Sequence, residues 1–158
     1  MAKTMSQESF SQELFDILEE AFETHRGIFL DKGTSLLTTL DGIGAAEASI
    51  PVGGRCATIA AQVEHVIFYL EVLERGLLEQ EQNRPDWGEI WGRVHGVSEA
   101  EWAALRTRLR ATYERITQTL RGIADWEHNE ACGYALGMLA HTAYHLGEIR
   151  QALCTVRA

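Results

Sequence analysis

Two histidines four residues apart, His141 and His145, lie inside a run from residue 131 to 147, ACGYALGMLAHTAYHLG, that contains no Asp, Glu, Lys or Arg. On a helix this spacing places their Cβ atoms roughly 5–6 Å apart on one face, close enough for both imidazoles to reach one ion. Both fall in register with Met138 and Ile149, which turns their face toward a core. A buried neutral imidazole needs partners for both nitrogens. Bonds to backbone or to a tyrosine such as Tyr144 would meet that need for one ring, whereas a metal ion meets it for two stacked rings at once. His65, among Gln62, Tyr69 and Val72 near the middle of an earlier apolar series, is the third candidate, because mid-helix residues of neighbouring helices face each other across a bundle.

Three neutral nitrogen donors leave one position open on a tetrahedral ion, the pattern of a reactive metal and not of a closed structural one. Nickel, manganese or iron would call for further ligands or waters. Glu148 lies three residues after His145, almost on the same stripe. It has three functional readings: a fourth ligand, an acceptor that orients an imidazole N–H, or a general base. A half-exposed glutamate paired with Arg150 or Arg121 is the alternative.

The other candidates read as structural. His25 follows the first helix, and His95 and His128 sit in loops. Cys132 is nine residues, or ~13 Å of helix, from His141 and so out of ligand reach. Cys56, Cys132 and Cys154 form no Cys-x-x-Cys pair and are odd in number, which argues against a disulfide framework, and they read as reduced packing thiols. Trp87 and Trp91, four apart, either line the mouth of a pocket or seal a loop to the core. There is no repeated Glu-x-x-His of the di-iron type, no Gly-rich phosphate loop, no Gly-x-Ser-x-Gly elbow and no His-Glu-x-x-His motif.

Four apolar series at steps of three and four must position these residues. The first runs from about Gln7 to Thr24 through Phe10, Leu14, Leu18 and Ala21. Six glycines and Pro51 from Gly27 to Gly54 predict a long connection holding a short helix. The second helix is expected from about Ala57 to Leu78. A structured loop follows, in which Pro85 could open a short helix through Trp91. Ser98 with Glu101 is a capping box ahead of Trp102, Leu105, Leu109 and Tyr113, and it starts the third helix. The fourth begins near 129–132 and continues to about Thr155. No alternating strand pattern occurs, so the expectation is an all-α four-helix bundle, one domain over residues 1–158.

Composition bounds the partners. Twenty-three acidic against 14 basic residues give a net charge of −9, with the basic residues scattered, so a nucleic-acid partner is not expected. The start, MAKTMSQESFSQELF, lacks an apolar stretch behind a basic one and does not read as a signal peptide, hence the expectation of a cytoplasmic protein. The charge-free run at 131–147 is short of the ~20 apolar residues of a membrane span and carries two histidines. A buried helix is expected there, with no membrane partner.

The segments HTAYHLGEIRQ, TIAAQVEHVIFYLEVL, SLLTTLDGIGAAEASIPVGG and DWGEIWGRVHGVSEAEWAALRTRLRATYERI together resemble the DinB/YfiT-like family of metalloenzymes. The resemblance covers most of the chain beyond about residue 30. It implies an up-down-down-up bundle, a histidine triad of His65, His141 and His145, and a homodimer carrying zinc or nickel, or else iron or manganese. It also implies a small-molecule substrate and, in related branches, thiol-dependent transfer or isomerisation with a low-molecular-weight thiol, as in mycothiol-dependent maleylpyruvate isomerase and bacillithiol transferase. The expected function is therefore a metal-dependent S-transferase, isomerase or hydrolase, with a non-catalytic metal-binding or stress-related binding module as the alternative. Glu148 departs from the family, which often has glutamine there, and is the candidate catalytic proton handler or orienter.

Overall fold

The computed structural model describes residues 5–80 and 86–158. Four long helices carry the architecture: α1 (Gln7–Phe22), α4 (Ile59–Leu77), α6 (Glu99–Arg121) and α7 (Ala131–Val156). Three short ones lie between them: α2 (Leu36–Asp41), α3 (Ala45–Ala48) and α5 (Glu89–Arg93). The connection after α1 thus holds two short helices and a 3-10 turn at Val52–Gly54, where the sequence suggests one. Pro85, the expected opener of the helix containing Trp91, lies outside the described residues, and that helix is the five-residue α5.

Each long helix but the last starts on a side-chain cap. Ser6 accepts from the Ser9 N–H, Thr58 from the Ala61 N–H, and Ser98 from the Glu101 N–H. These bonds satisfy donors that the first turn leaves free. At Ser98 the capping box is complete, with the Glu101 carboxylate 2.8 Å from the Ser98 N–H. The apolar faces of α1, α4, α6 and α7 converge on one core cluster that includes Leu18, Phe22, Ile67, Leu70, Leu109, Ile116, Met138 and Ile149.

Residue pairs between the helices give their directions. Along α4 and α6, Glu64 meets Arg108 at 2.7 Å and Glu74 meets Arg115 at 2.8 Å. Numbers rise together, so these two helices are parallel. Between α4 and α7, Gln62 meets His145 while Gly76 lies against Tyr134, which makes them antiparallel. Between α1 and α6, Phe15 takes the guanidinium of Arg121 and Glu23 that of Arg110, again antiparallel. The order is therefore up, down, down, up. The close approach of α4 and α7 depends on Gly76, where a Cβ would stand 2.7 Å from the Tyr134 ring.

The long connection is held by a feature not evident in the sequence. The solvent-inaccessible carboxylate of Glu20 accepts backbone N–H bonds from Arg26, Gly27, Ile28 and Phe29 at 2.6–3.1 Å. Burial alone would raise its pKa, but these four donors overcome that and hold it at about 2. Farther along, the Trp102 indole on α6 donates to the Ile43 carbonyl at 2.7 Å, which ties the segment between α2 and α3 to the bundle.

The charge-free stretch of α7 divides between two environments. Ala135, Met138, Thr142 and Leu146 are buried, whereas Leu136 and Tyr144 are exposed. Among the described residues no single helix is long and apolar enough to cross a membrane.

Candidate metal centre

The antiparallel contact of α4 and α7 brings His65, His141 and His145 together near the middle of both helices. His65 and His145 are buried and His141 is half-buried. Their Nε2 atoms converge, His65 to His141 at 3.1 Å and His141 to His145 at 3.2 Å, and the three ligand nitrogens all lie within 4.8 Å of one another. Two nitrogens bound to one ion at 2.0–2.1 Å and at angles of about 90–109° stand roughly 2.8–3.4 Å apart. Both measured separations fall in that range.

The proton inventory favours a cation at this focus. The Nδ1 of His145 lies 2.6 Å from the side-chain amide oxygen of Gln62 and 2.8 Å from the Glu148 carboxylate. Two acceptors there make Nδ1 the donor, so in the neutral ring Nε2 presents a lone pair. A single N–H on His141 aligns with only one of its two Nε2 neighbours. A cation accepts all three lone pairs at once. Among the described residues the Nδ1 atoms of His65 and His141 are buried without a hydrogen-bond partner, so these rings, unlike His145, are oriented by packing. Trp91 of α5 stacks on His65 at 4.2 Å between centroids, and Tyr69 stacks on His141 at 3.5 Å and an interplanar angle of 2°.

Electrostatics keep the rings neutral and ready to ligate. Burial, then the neighbouring His145, holds His65 down at about 4, with Glu148 opposing. Burial, then His145 and His65, brings His141 to about 3. His145 is also lowered by burial, against the opposing pull of Glu148.

All three histidines that the sequence singles out share this site. Glu148 lies beside it on the Nδ1 side of His145, so its carboxylate engages an imidazole and not the arginines Arg150 or Arg121. Tyr144 reaches no imidazole nitrogen: its hydroxyl bonds Glu148, which pushes the phenol pKa upward, and its ring stands edge-on to His145 at 5.0 Å. Of the tryptophan pair, Trp91 covers the site, and Trp87 packs against Phe68 and Tyr69.

His25, His95 and His128 are exposed and apart from the site, although His128 opens a 3-10 turn and does not lie in a loop. The cysteines are free as expected, but Cys56 and Cys154 are exposed and Cys132 is half-buried, so they are not core packing residues. Their positions fall off the buried stripes of their segments. Sequence reasoning missed Gln62 as a partner. The available signal is its offset of three from His65, which puts both on the side of α4 that meets α7.

Residues 31–149 match the DinB superfamily. The chain belongs to the DinB superfamily. The match spans α2 through most of α7 and includes all three histidines, and the all-helical fold agrees with it. No curated protein and no solved structure matches the chain, so for this DinB-like bundle the chemistry has to be argued from the site.

Proposed function

We propose that this protein is a metal-dependent enzyme that holds one divalent ion on the Nε2 atoms of His65, His141 and His145 and acts on a small electrophilic substrate. The observation that carries the reading is the convergence of three neutral imidazoles, two buried and one half-buried, at ligand-pair distances. Such an ion supplies Lewis acidity and acidifies a water or low-molecular-weight thiol in its remaining position. Zinc and nickel suit an all-imidazole set best, with iron and manganese behind them. Thiol transfer, isomerisation and hydrolysis all need an acidified nucleophile, and they form the reaction class proposed here.

The chain's own residues would divide the remaining work. Gln62 and Glu148 hold the His145 Nδ1 proton, which fixes the tautomer and the ring plane. Glu148, whose side chain is 37% exposed, links this bond to the surface and to the Tyr144 hydroxyl. That arrangement suits a positioning residue able to pass a proton between His145 and solvent. Trp91 and Tyr69 press on two of the imidazoles and keep bulk water from their faces.

Elemental analysis of protein purified without chelator tests this. One equivalent of a divalent metal is expected in the wild type, with loss in both His65→Ala and His141→Ala. A metal-free wild type, or full retention by either variant, would overturn the ligand set. Stoichiometric metal with no turnover in thiol-transfer, isomerase and hydrolase screens would favour a non-catalytic binding module.

A further inference from the structure

A groove of about 520 Å³ runs between the C-terminal part of α7, from Gly147 to Arg157, and the segment that leads into and includes α2, and none of the three histidines lines it. Arg150 and Arg157 line it together with Thr34, Thr38, Thr39 and Gln151, and no carboxylate does. In a chain with 23 acidic residues and a net charge of −9, such a lining is a local reversal of sign.

The two arginines differ in what they have left to offer. Arg157 is engaged by Glu47 at 2.7 and 3.1 Å and by the Gly42 carbonyl. Arg150 is half-buried and meets no carboxylate among the described residues. Its hydrogen bond within the chain is a long one, 3.4 Å to the Thr34 carbonyl. Arg108 and Arg110, by contrast, pair with glutamates at 2.7 and 2.9 Å. A guanidinium carries five donors in a planar fork that matches a two-oxygen anion, and most of those of Arg150 are uncommitted. Thr34 is committed to the Asp31 carbonyl at 2.6 Å, but the hydroxyls of Thr39 and Thr38 donate only over long distances, to the Thr34 carbonyl at 3.3 Å and the Glu23 carbonyl at 3.4 Å, Thr38 also accepting from Ser35 at 3.1 Å.

Gly147 forms part of the α7 wall. A Cβ there would meet nothing within 4 Å, so no contact inside the chain requires glycine, and helix interiors disfavour it. What its absent side chain leaves open is the groove.

From the acid-free lining, the uncommitted fork of Arg150 and the opening at Gly147, we infer that this groove binds an oxyanion, a carboxylate or phosphoryl group carried by a small organic molecule. Arg150 takes two anion oxygens, Thr38, Thr39 and Gln151 supply further donors, and the half-buried Leu153 faces the ligand's apolar part. The inference does not depend on the histidine centre.

The test is a titration of the purified full chain with acetate, succinate and inorganic phosphate, followed by the NMR signal of the Arg150 Nε–H. This reports binding at the groove and not at any ion held by the histidines. Saturable shifts in the millimolar range are expected, and the tighter of the carboxylate and phosphate arms names the class. Arg150→Gln should weaken binding about tenfold or more. Gly147→Leu, which improves the helix and fills the groove, should abolish it with the circular dichroism spectrum unchanged. A linear response to every probe, or wild-type affinity in either folded variant, would overturn the proposal; should Arg150→Gln not fold, Gly147→Leu decides alone.

Discussion

At the scale of single residues, His145 is the one histidine of the three whose second nitrogen is held by polar partners. Its Nδ1 is shared by Gln62 and Glu148, at 2.6 and 2.8 Å, while His65 and His141 depend on the stacked rings of Trp91 and Tyr69. Acceptors on the far nitrogen fix the tautomer and raise ligand basicity, and their removal typically weakens metal binding 10–100-fold. Gln62→Leu keeps the volume of the side chain on α4 but removes one acceptor. Its metal affinity, measured by competition with a chromophoric chelator, should fall about tenfold while Glu148 remains, and by more in the double variant with Glu148→Leu. Equal affinity in the double variant and the wild type would show that neither residue supports the site. Histidine spacing was readable from the sequence because a helix repeats every 3.6 residues. The partner of the histidine was not, since Gln62 lies 83 residues from His145 and only the α4–α7 contact joins them.

At the scale of elements, the connection between α1 and α4 is governed by a charge that a pattern of hydrophobicity does not reveal. Glu20 sits on the buried side of α1 and replaces water for the backbone of residues 26–29. Its pKa lies at about 2 against an ordinary value of 4.5. A depressed folded-state pKa means stability that is fully present above the ordinary value and lost as pH falls through the folded one. Wild-type stability in urea should therefore decline between about pH 4.5 and about pH 2 by more than that of Glu20→Gln. At neutral pH the variant should be less stable by about 1–3 kcal/mol, since its amide turns a donor toward a part-buried backbone N–H. Parallel pH profiles for the two proteins would contradict this assignment. The helix caps at Ser98 and Thr58 belong to the same scale and were visible in advance at Ser98, because a capping box is a local motif. Glu20 could not be read this way, because one acidic residue in an amphipathic helix looks the same whether it meets water or a loop.

At the scale of the whole molecule, three histidines on two antiparallel helices make any bound ion a cross-link between α4 and α7. An ion that binds the folded chain and not the unfolded one stabilises it by RT ln(1 + [L]/Kd), about 4 kcal/mol at a thousandfold excess over Kd. For a chain of this size that corresponds to roughly 8–16 °C in Tm. Removing the metal with a chelator should lower the melting temperature by about that amount, re-addition should restore it, and His141→Ala should show no such response. A melting temperature indifferent to chelator in the wild type would mean that the helices hold their register by packing alone. The outer face of α7 is the other whole-molecule feature. Leu136 and Tyr144 are 47% and 62% exposed within a stretch that carries no charge. The homodimer implied by the resemblance would bury that face, and light scattering of the wild type against Leu136→Glu tests it, with a dimer expected to become a monomer.

What the sequence by itself determined is local or periodic. Four apolar series, the cap at Ser98 and the interruptions at glycine and proline defined four long helices. The i, i+4 histidines in a charge-free run marked half of a metal site. These signals survive in one dimension because helix geometry relates residues three and four apart. The directions of the helices, which came in advance from resemblance alone, are decided physically by distant pairs such as Glu74 with Arg115 and Gly76 with Tyr134. The same holds for the convergence of Nε2 atoms across the α4–α7 contact, the Gln62 acceptor on His145, the Trp91 cover and the acid-free groove at Arg150. Each requires side chains far apart in sequence to meet at bonding distance, and only packing in three dimensions decides which of them do.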